Sequence, residues 1–127
     1  TFMKVRNKVG AIVIACILIC SMSAVAYANT ITTTMAGVNI TASSSRNTSG
    51  GSAYTVYGNS GSVTVNASFS YKDAITGVYK GSESKNSSSV NVASVSFSAP
   101  TGCVSMSINA SHSVSYQGQY WSGYTYE

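Results

Sequence analysis

Charge is scarce in this chain. Asp, Glu, Lys and Arg make up 8% of its 127 residues, with three acidic side chains and one histidine. That excludes a charged disordered tail and the flanking ion pairs of a coiled coil. Proline occurs once, at Pro100, so there is no proline-rich linker or recognition segment. Helical spacing of apolar residues is missing after Ala28, which removes the all-α classes. Cysteine occurs three times, at Cys16, Cys20 and Cys103.

What is present begins with a leader. Lys4, Arg6 and Lys8 precede an apolar run over residues 9–20, and Ala24-Val25-Ala26-Tyr27-Ala28 follows. Ala26 and Ala28 supply the small residues that signal peptidase accepts at minus three and minus one, so the chain is expected to be secreted and cut after Ala28. The signal is residues 1–28, or 3–28 if Met3 is the start. Two other readings exist: residues 9–28 are long enough for an uncleaved anchor, and Val13-Ile14-Ala15-Cys16 resembles a bacterial lipobox. Apart from this segment nothing predicts membrane contact.

Removing the leader lowers the formal charge from +4 to +1, because three of the seven basic residues leave with it. The remaining Arg46, Lys72, Lys80 and Lys85 form no cluster, so nucleic acid is not an expected partner. Only Cys103 survives, and no internal disulfide can form. Residues 29–127 must hold together by core burial, as a single domain.

The mature chain alternates with period two, which predicts an all-β fold. Val104, Met106, Ile108, Ala110, His112, Val114 and Tyr116 form one face of a long run, with Cys103 and five serines on the other. Val63, Val65, Ala67, Phe69 and Tyr71 form a second. Residues 90–97 change phase near Ala93-Ser94, predicting a β-bulge; residues 31–42 change phase at Ala36-Gly37. Residues 53–57 and 120–126 add strands, and residues 78–84, with Lys80 and Glu83, suit an exposed edge. Turns are expected at Gly58-Asn59-Ser60-Gly61, Lys85-Asn86, Ala99-Pro100-Thr101-Gly102 and Gln117-Gly118-Gln119. About seven strands without crossover helices predict a small antiparallel β-sandwich, immunoglobulin-like, with a small β-barrel as the other architecture. Residues 43–52, rich in Ser and Gly, read as a flexible loop. Residues 65–70 echo residues 108–113.

Catalytic chemistry has little to work with. Asp73, Glu83 and Glu127 are spread over a loop, an edge and the terminus, and Cys103 and His112 are predicted far apart on opposite faces of one strand. No catalytic residue, metal site or cofactor is assigned, and the chain is not expected to be an enzyme. His112 reads as a structural core residue, and Cys103 as an exposed thiol able to pair between chains. Five sequons, at Asn39, Asn47, Asn66, Asn86 and Asn109, matter only on a eukaryotic secretory route. A cysteine-poor secreted domain points to a bacterial, Gram-positive source.

Tyr116, Tyr120, Trp121, Tyr124 and Tyr126 crowd into the last residues. Such rings stack on sugars, other aromatics or cations, and they are the candidate ligand-binding residues. Tyr120, Tyr124 and Tyr126 share a phase, with Trp121 opposed. The expected function is a small extracellular or cell-surface binding module for a cell-surface glycan or protein. The size, signal and Tyr/Trp-rich end are loosely similar to lactococcin 972-type bacteriocins, a resemblance that implies a secreted antagonistic protein. Ser-rich alternating strands would also suit a self-assembling surface or matrix component.

Overall fold

The computed structural model describes residues 26–127, with side chains from Asn29 onward. The basic n-region, the apolar run and Cys16 lie outside the described residues. Eight strands follow in order: β1 (Ala26–Met35), β2 (Val38–Asn47), β3 (Gly50–Tyr57), β4 (Ser62–Asp73), β5 (Tyr79–Val90), β6 (Val92–Ser98), β7 (Cys103–Tyr116) and β8 (Gln119–Tyr126). They form two antiparallel four-stranded sheets, ordered β1-β2-β3-β6 and β5-β4-β7-β8. The expected cut after Ala28 falls within β1, whose first three residues pair with Asn47, Arg46 and Ser45.

The inner faces meet in one core. Ile40, Ala53, Tyr57, Val95 and Phe97 of the first sheet pack against Val63, Val65, Phe69, Ile108 and Val114 of the second. Phe69 and Phe97 stack between the sheets, 5.3 Å apart and 17° from parallel. Burial of each such ring contributes about 1.5–3 kcal/mol. Tyr57 is fully buried; its hydroxyl donates to the Met35 carbonyl at 2.9 Å, so the phenol carries no unpaired donor into the core. Burial, with Tyr116 adjacent, raises its pKa above the usual 10.0.

Local chemistry sets the hairpins. Ala36 and Gly37 (φ 52° and 73°) join β1 to β2, and Gln117 and Gly118 (φ 48° and 78°) join β7 to β8. Two central residues with positive φ give the turn whose twist matches antiparallel strands. At the β4–β5 turn the Asp73 carboxylate accepts from the amides of Ile75 (2.9 Å) and Thr76 (2.8 Å), and those bonds lower its pKa.

Several expectations are corrected. There are eight strands, not about seven, because the phase change at Ala36-Gly37 is a hairpin between two strands. Their order is not that of an immunoglobulin domain: β1, β2 and β3 are consecutive neighbours in one sheet, whereas an immunoglobulin chain crosses to the opposite sheet after its second strand. Residues 43–52 are not a flexible loop; they are the paired ends of β2 and β3 around Thr48-Ser49, and Ser45 meets Ser52 at 3.2 Å. Lys85-Asn86 is no turn but the interior of β5.

The predicted bulge at Ala93-Ser94 is a change of sheet. β5 ends at Val90, β6 begins at Val92, and Asn91 (φ 69°) turns the chain from one layer to the other. Its side-chain amide donates to the carbonyls of Tyr57 (3.2 Å) and Asn59. A true bulge lies in β7, where Tyr71 pairs with Ser105 and Ser70 with Ser107, leaving Met106 extra. Met106 is therefore exposed, while Ser105 is buried.

The echoing segments are neighbours. Val65 pairs with His112, Ala67 with Ala110 and Phe69 with Ile108, so residues 65–70 and 108–113 are related by a local twofold through the Ala67–Ala110 pair.

Candidate functional site

The tight Gln117-Gly118 turn fixes the phase of β8. Tyr120, Ser122, Tyr124 and Tyr126 project from the outer face, while Trp121, Gly123 and Thr125 project inward. Tyr120 is 69% exposed, and Tyr124 and Tyr126 are each 59% exposed. Trp121 packs half-buried against the core. Tyr116, at the end of β7, sets its ring 5.7 Å from that of Tyr57 at 60°. Of the five aromatic candidates, the structure thus brings three together on one open face and uses two as packing.

Pairing supplies a floor beside them. Tyr124 lies opposite Ser111, Ser122 opposite Ser113 and Tyr120 opposite Ser115; in the next strand Asn66 lies beside Ser111 and Thr64 beside Ser113. Thr64 and Ser113 are hydrogen-bonded through their hydroxyls. The result is a depression of about 390 Å³ flanked by Tyr120 and Tyr124 and floored by Thr64, Asn66, Ser111, Ser113 and Ser122. No charged side chain lines it. Sequence reasoning found the rings but missed this floor, whose signal was present: residues Ser62, Thr64, Asn66, Ser68 and Ser70 of β4 and Ser107, Asn109, Ser111, Ser113 and Ser115 of β7 form two rows of Ser, Thr and Asn.

The other titratable groups lie elsewhere. His112 is buried in the core, with Nδ1 2.8 Å from Thr55 Oγ1 and Nε2 2.7 Å from Thr125 Oγ1. Thr55 Oγ1 also lies 2.8 Å from the Thr64 carbonyl, which can only accept. The Thr55 proton therefore goes to that carbonyl, Nδ1–H donates to Thr55, and Nε2 accepts from the Thr125 hydroxyl. This neutral tautomer satisfies every partner. Burial lowers the pKa from 6.5 to about 4, against a smaller raising effect of the Tyr54 backbone.

Cys103 is half-buried, not openly exposed. The Met106 bulge corrects the face assignment: Cys103 shares the phase of buried Ser105, and beyond the bulge His112 faces inward as well. They remain far apart, Cys103 paired with Asp73 and His112 with Val65. Glu83 lies 3.6 Å from Lys85 on the β5 edge, and the main chain of Glu127 bonds Ile108. Among the described residues no three His, Cys, Asp or Glu side chains are grouped to hold a metal, and no helix is long and apolar enough to cross a membrane.

Compared with known proteins, the chain matches no family model, no curated protein and no solved structure.

Proposed function

We propose that this chain is a small secreted or cell-surface module that binds an uncharged oligosaccharide segment of a cell-wall or surface glycan. The observation that carries this reading is the pairing of two exposed tyrosine rings, Tyr120 and Tyr124, with an uncharged floor of hydroxyls and amides. Sugar rings present apolar C–H faces and hydroxyl edges. Tyrosine rings stack on the first, and Ser, Thr and Asn exchange hydrogen bonds with the second. Four residues along a strand separate the rings by roughly 14 Å at the standard rise, which suits several linked sugars better than one.

Binding is favoured over catalysis because the one described imidazole has both nitrogens engaged by threonines. The same reading takes the facing sheets as a β-sandwich, supported by the Phe69–Phe97 stack between them.

Retention on insoluble cell-wall glycan and retardation in polysaccharide-containing native gels test it. Tyr120→Ala and Tyr124→Ala should each abolish retention, and about 1 M salt, with a screening length near 3 Å, should leave wild-type retention intact. Retention that survives both substitutions, or that salt removes, overturns the reading.

A further inference from the structure

The connection from β4 to β5, residues 74–78, carries the most exposed large apolar side chain among the described residues. Ile75 is 95% exposed, and Val78 and Tyr79 beside it are 59% and 56% exposed. A Cβ built on Gly77 meets no atom within 4 Å, so the tip has open space on that side too. Single exposed apolar residues are ordinary. Three within five positions of one loop form a patch, the kind of surface that marks a contact.

The amides of this loop need no outside acceptor. Asp73 N–H donates to the Val78 carbonyl at 2.8 Å, Gly77 N–H to the Asp73 carbonyl at 3.0 Å and Ala74 N–H to the Gly102 carbonyl at 2.9 Å. Asp73 Oδ1 accepts from Ile75 and Thr76, and Thr76 Oγ1 accepts from Val78 at 3.4 Å. Every amide from Asp73 to Val78 is thus bonded within the chain. No donor is left for a partner's strand, which argues against docking by strand addition. The loop can also approach a medium of low dielectric without stripping water from an unpaired N–H.

Lysines flank the apolar residues on both sides: Lys72, paired with Tyr79 at the end of β4, and Lys80, the next residue of β5. The one acid among them, Asp73, turns a carboxylate oxygen to the loop's own amides, and the local sum of two lysines and one aspartate is positive. We propose that this loop docks the protein onto a lipid bilayer with anionic headgroups. Ile75 and Val78 enter the boundary between headgroups and acyl chains, Tyr79 sits at headgroup level, and the two ammonium groups meet lipid phosphate. The Asp73 bonds preform the tip, so little ordering opposes docking. The glycan floor at Asn66 is roughly 20 Å away along β4 at the standard rise, and the docking does not depend on the glycan reading.

Co-sedimentation of the exported chain with vesicles tests it, phosphatidylcholine alone being compared with an equal mixture of phosphatidylcholine and phosphatidylglycerol. The wild-type chain should pellet with the mixed vesicles and several-fold less with phosphatidylcholine alone. Ile75→Asp and Val78→Asp should each weaken pelleting about tenfold or more. Both side chains are exposed, so the melting temperature of each variant should stay at the wild-type value, which separates loss of docking from loss of fold. Ser88→Asp places the same charge at an exposed position of β5 away from the tip and should pellet as the wild type does. Ile75→Trp should keep binding, and its emission should shift to the blue on mixed vesicles beyond any change from Trp121. A wild-type chain that ignores mixed vesicles, binding indifferent to Ile75→Asp, or an Ile75→Trp emission that stays at its aqueous wavelength overturns the inference. Self-association that Ile75→Asp abolishes, without vesicle binding, would assign the tip to a second copy and overturn it as well.

Discussion

Thr55 and His112, 57 residues apart in the chain, are bonded across the space between the two sheets, Oγ1 to Nδ1, at 2.8 Å. Thr125 closes the other side of the ring at 2.7 Å. The core therefore contains a polar bridge in which both imidazole nitrogens are hydrogen-bonded, and its burial favours the neutral ring.

This gives stability a pH dependence of known sign. The folded imidazole takes its proton near pH 4, against 6.5 when exposed. Between those values the unfolded chain binds more protons at this ring, so the imidazole's contribution to stability is complete above 6.5, declines as pH falls toward 4 and levels off below. The whole decline is roughly 3 kcal/mol, at about 1.4 kcal/mol for each unit of pKa. Urea midpoints at several pH values and the NMR titration of the imidazole measure it. An imidazole titrating near 6.5 in the folded protein contradicts the buried placement of His112.

Trp121 and Tyr124 should respond oppositely to truncation. Trp121 packs half-buried on the core, so Trp121→Ala should cost about 2 to 3 kcal/mol, somewhat less than loss of a fully enclosed ring. Tyr124 is 59% exposed, and Tyr124→Ala should cost within about 0.5 kcal/mol while removing glycan retention. Thermal melts beside the retention assay compare the two; equal destabilisation would show that β8 is buried on both faces.

Asn91 combines a left-handed backbone with two side-chain bonds to carbonyls. Asn91→Gly keeps the backbone at ease and loses the bonds. Asn91→Ala loses both, and should be the less stable by about 1 kcal/mol. Denaturant unfolding of the pair decides; an alanine variant as stable as the glycine one would mean that this corner is not strained.

Gly61 opens β4 beneath the end of β7. A Cβ there would come 2.8 Å from the Ser115 carbonyl oxygen and 3.0 Å from the Tyr57 ring, and neither a paired backbone nor a buried ring can move aside cheaply. Gly61→Ala should cost about 1 to 3 kcal/mol. Gly77→Ala is the contrast: a Cβ there has no atom within 4 Å, and its φ of 71° is the only obstacle. An undisturbed melting curve for Gly61→Ala would show that the crossover has room to shift.

Alternation alone located β4, most of β7 and the opposed phases of Tyr124 and Trp121, because a strand sends successive side chains to opposite sides and burial selects one of them. The same local rule announced a break of phase at Ala36-Gly37 and near residue 93. A break, however, has more than one physical cause with one signature, a hairpin at Ala36-Gly37 and a passage between layers at Asn91, while the bulge at Met106 leaves no break at all because Val104, Met106 and Ile108 keep the apolar phase. Only partners distant in the chain distinguish them. The serines of residues 43–52 read as loop because their hydroxyls need water or a partner, and the partner, as for Ser45 and Ser52, is across the hairpin. The polar floor beside Tyr120 and Tyr124 was likewise decided by tertiary structure, since it exists only where β4, β7 and β8 lie side by side in register.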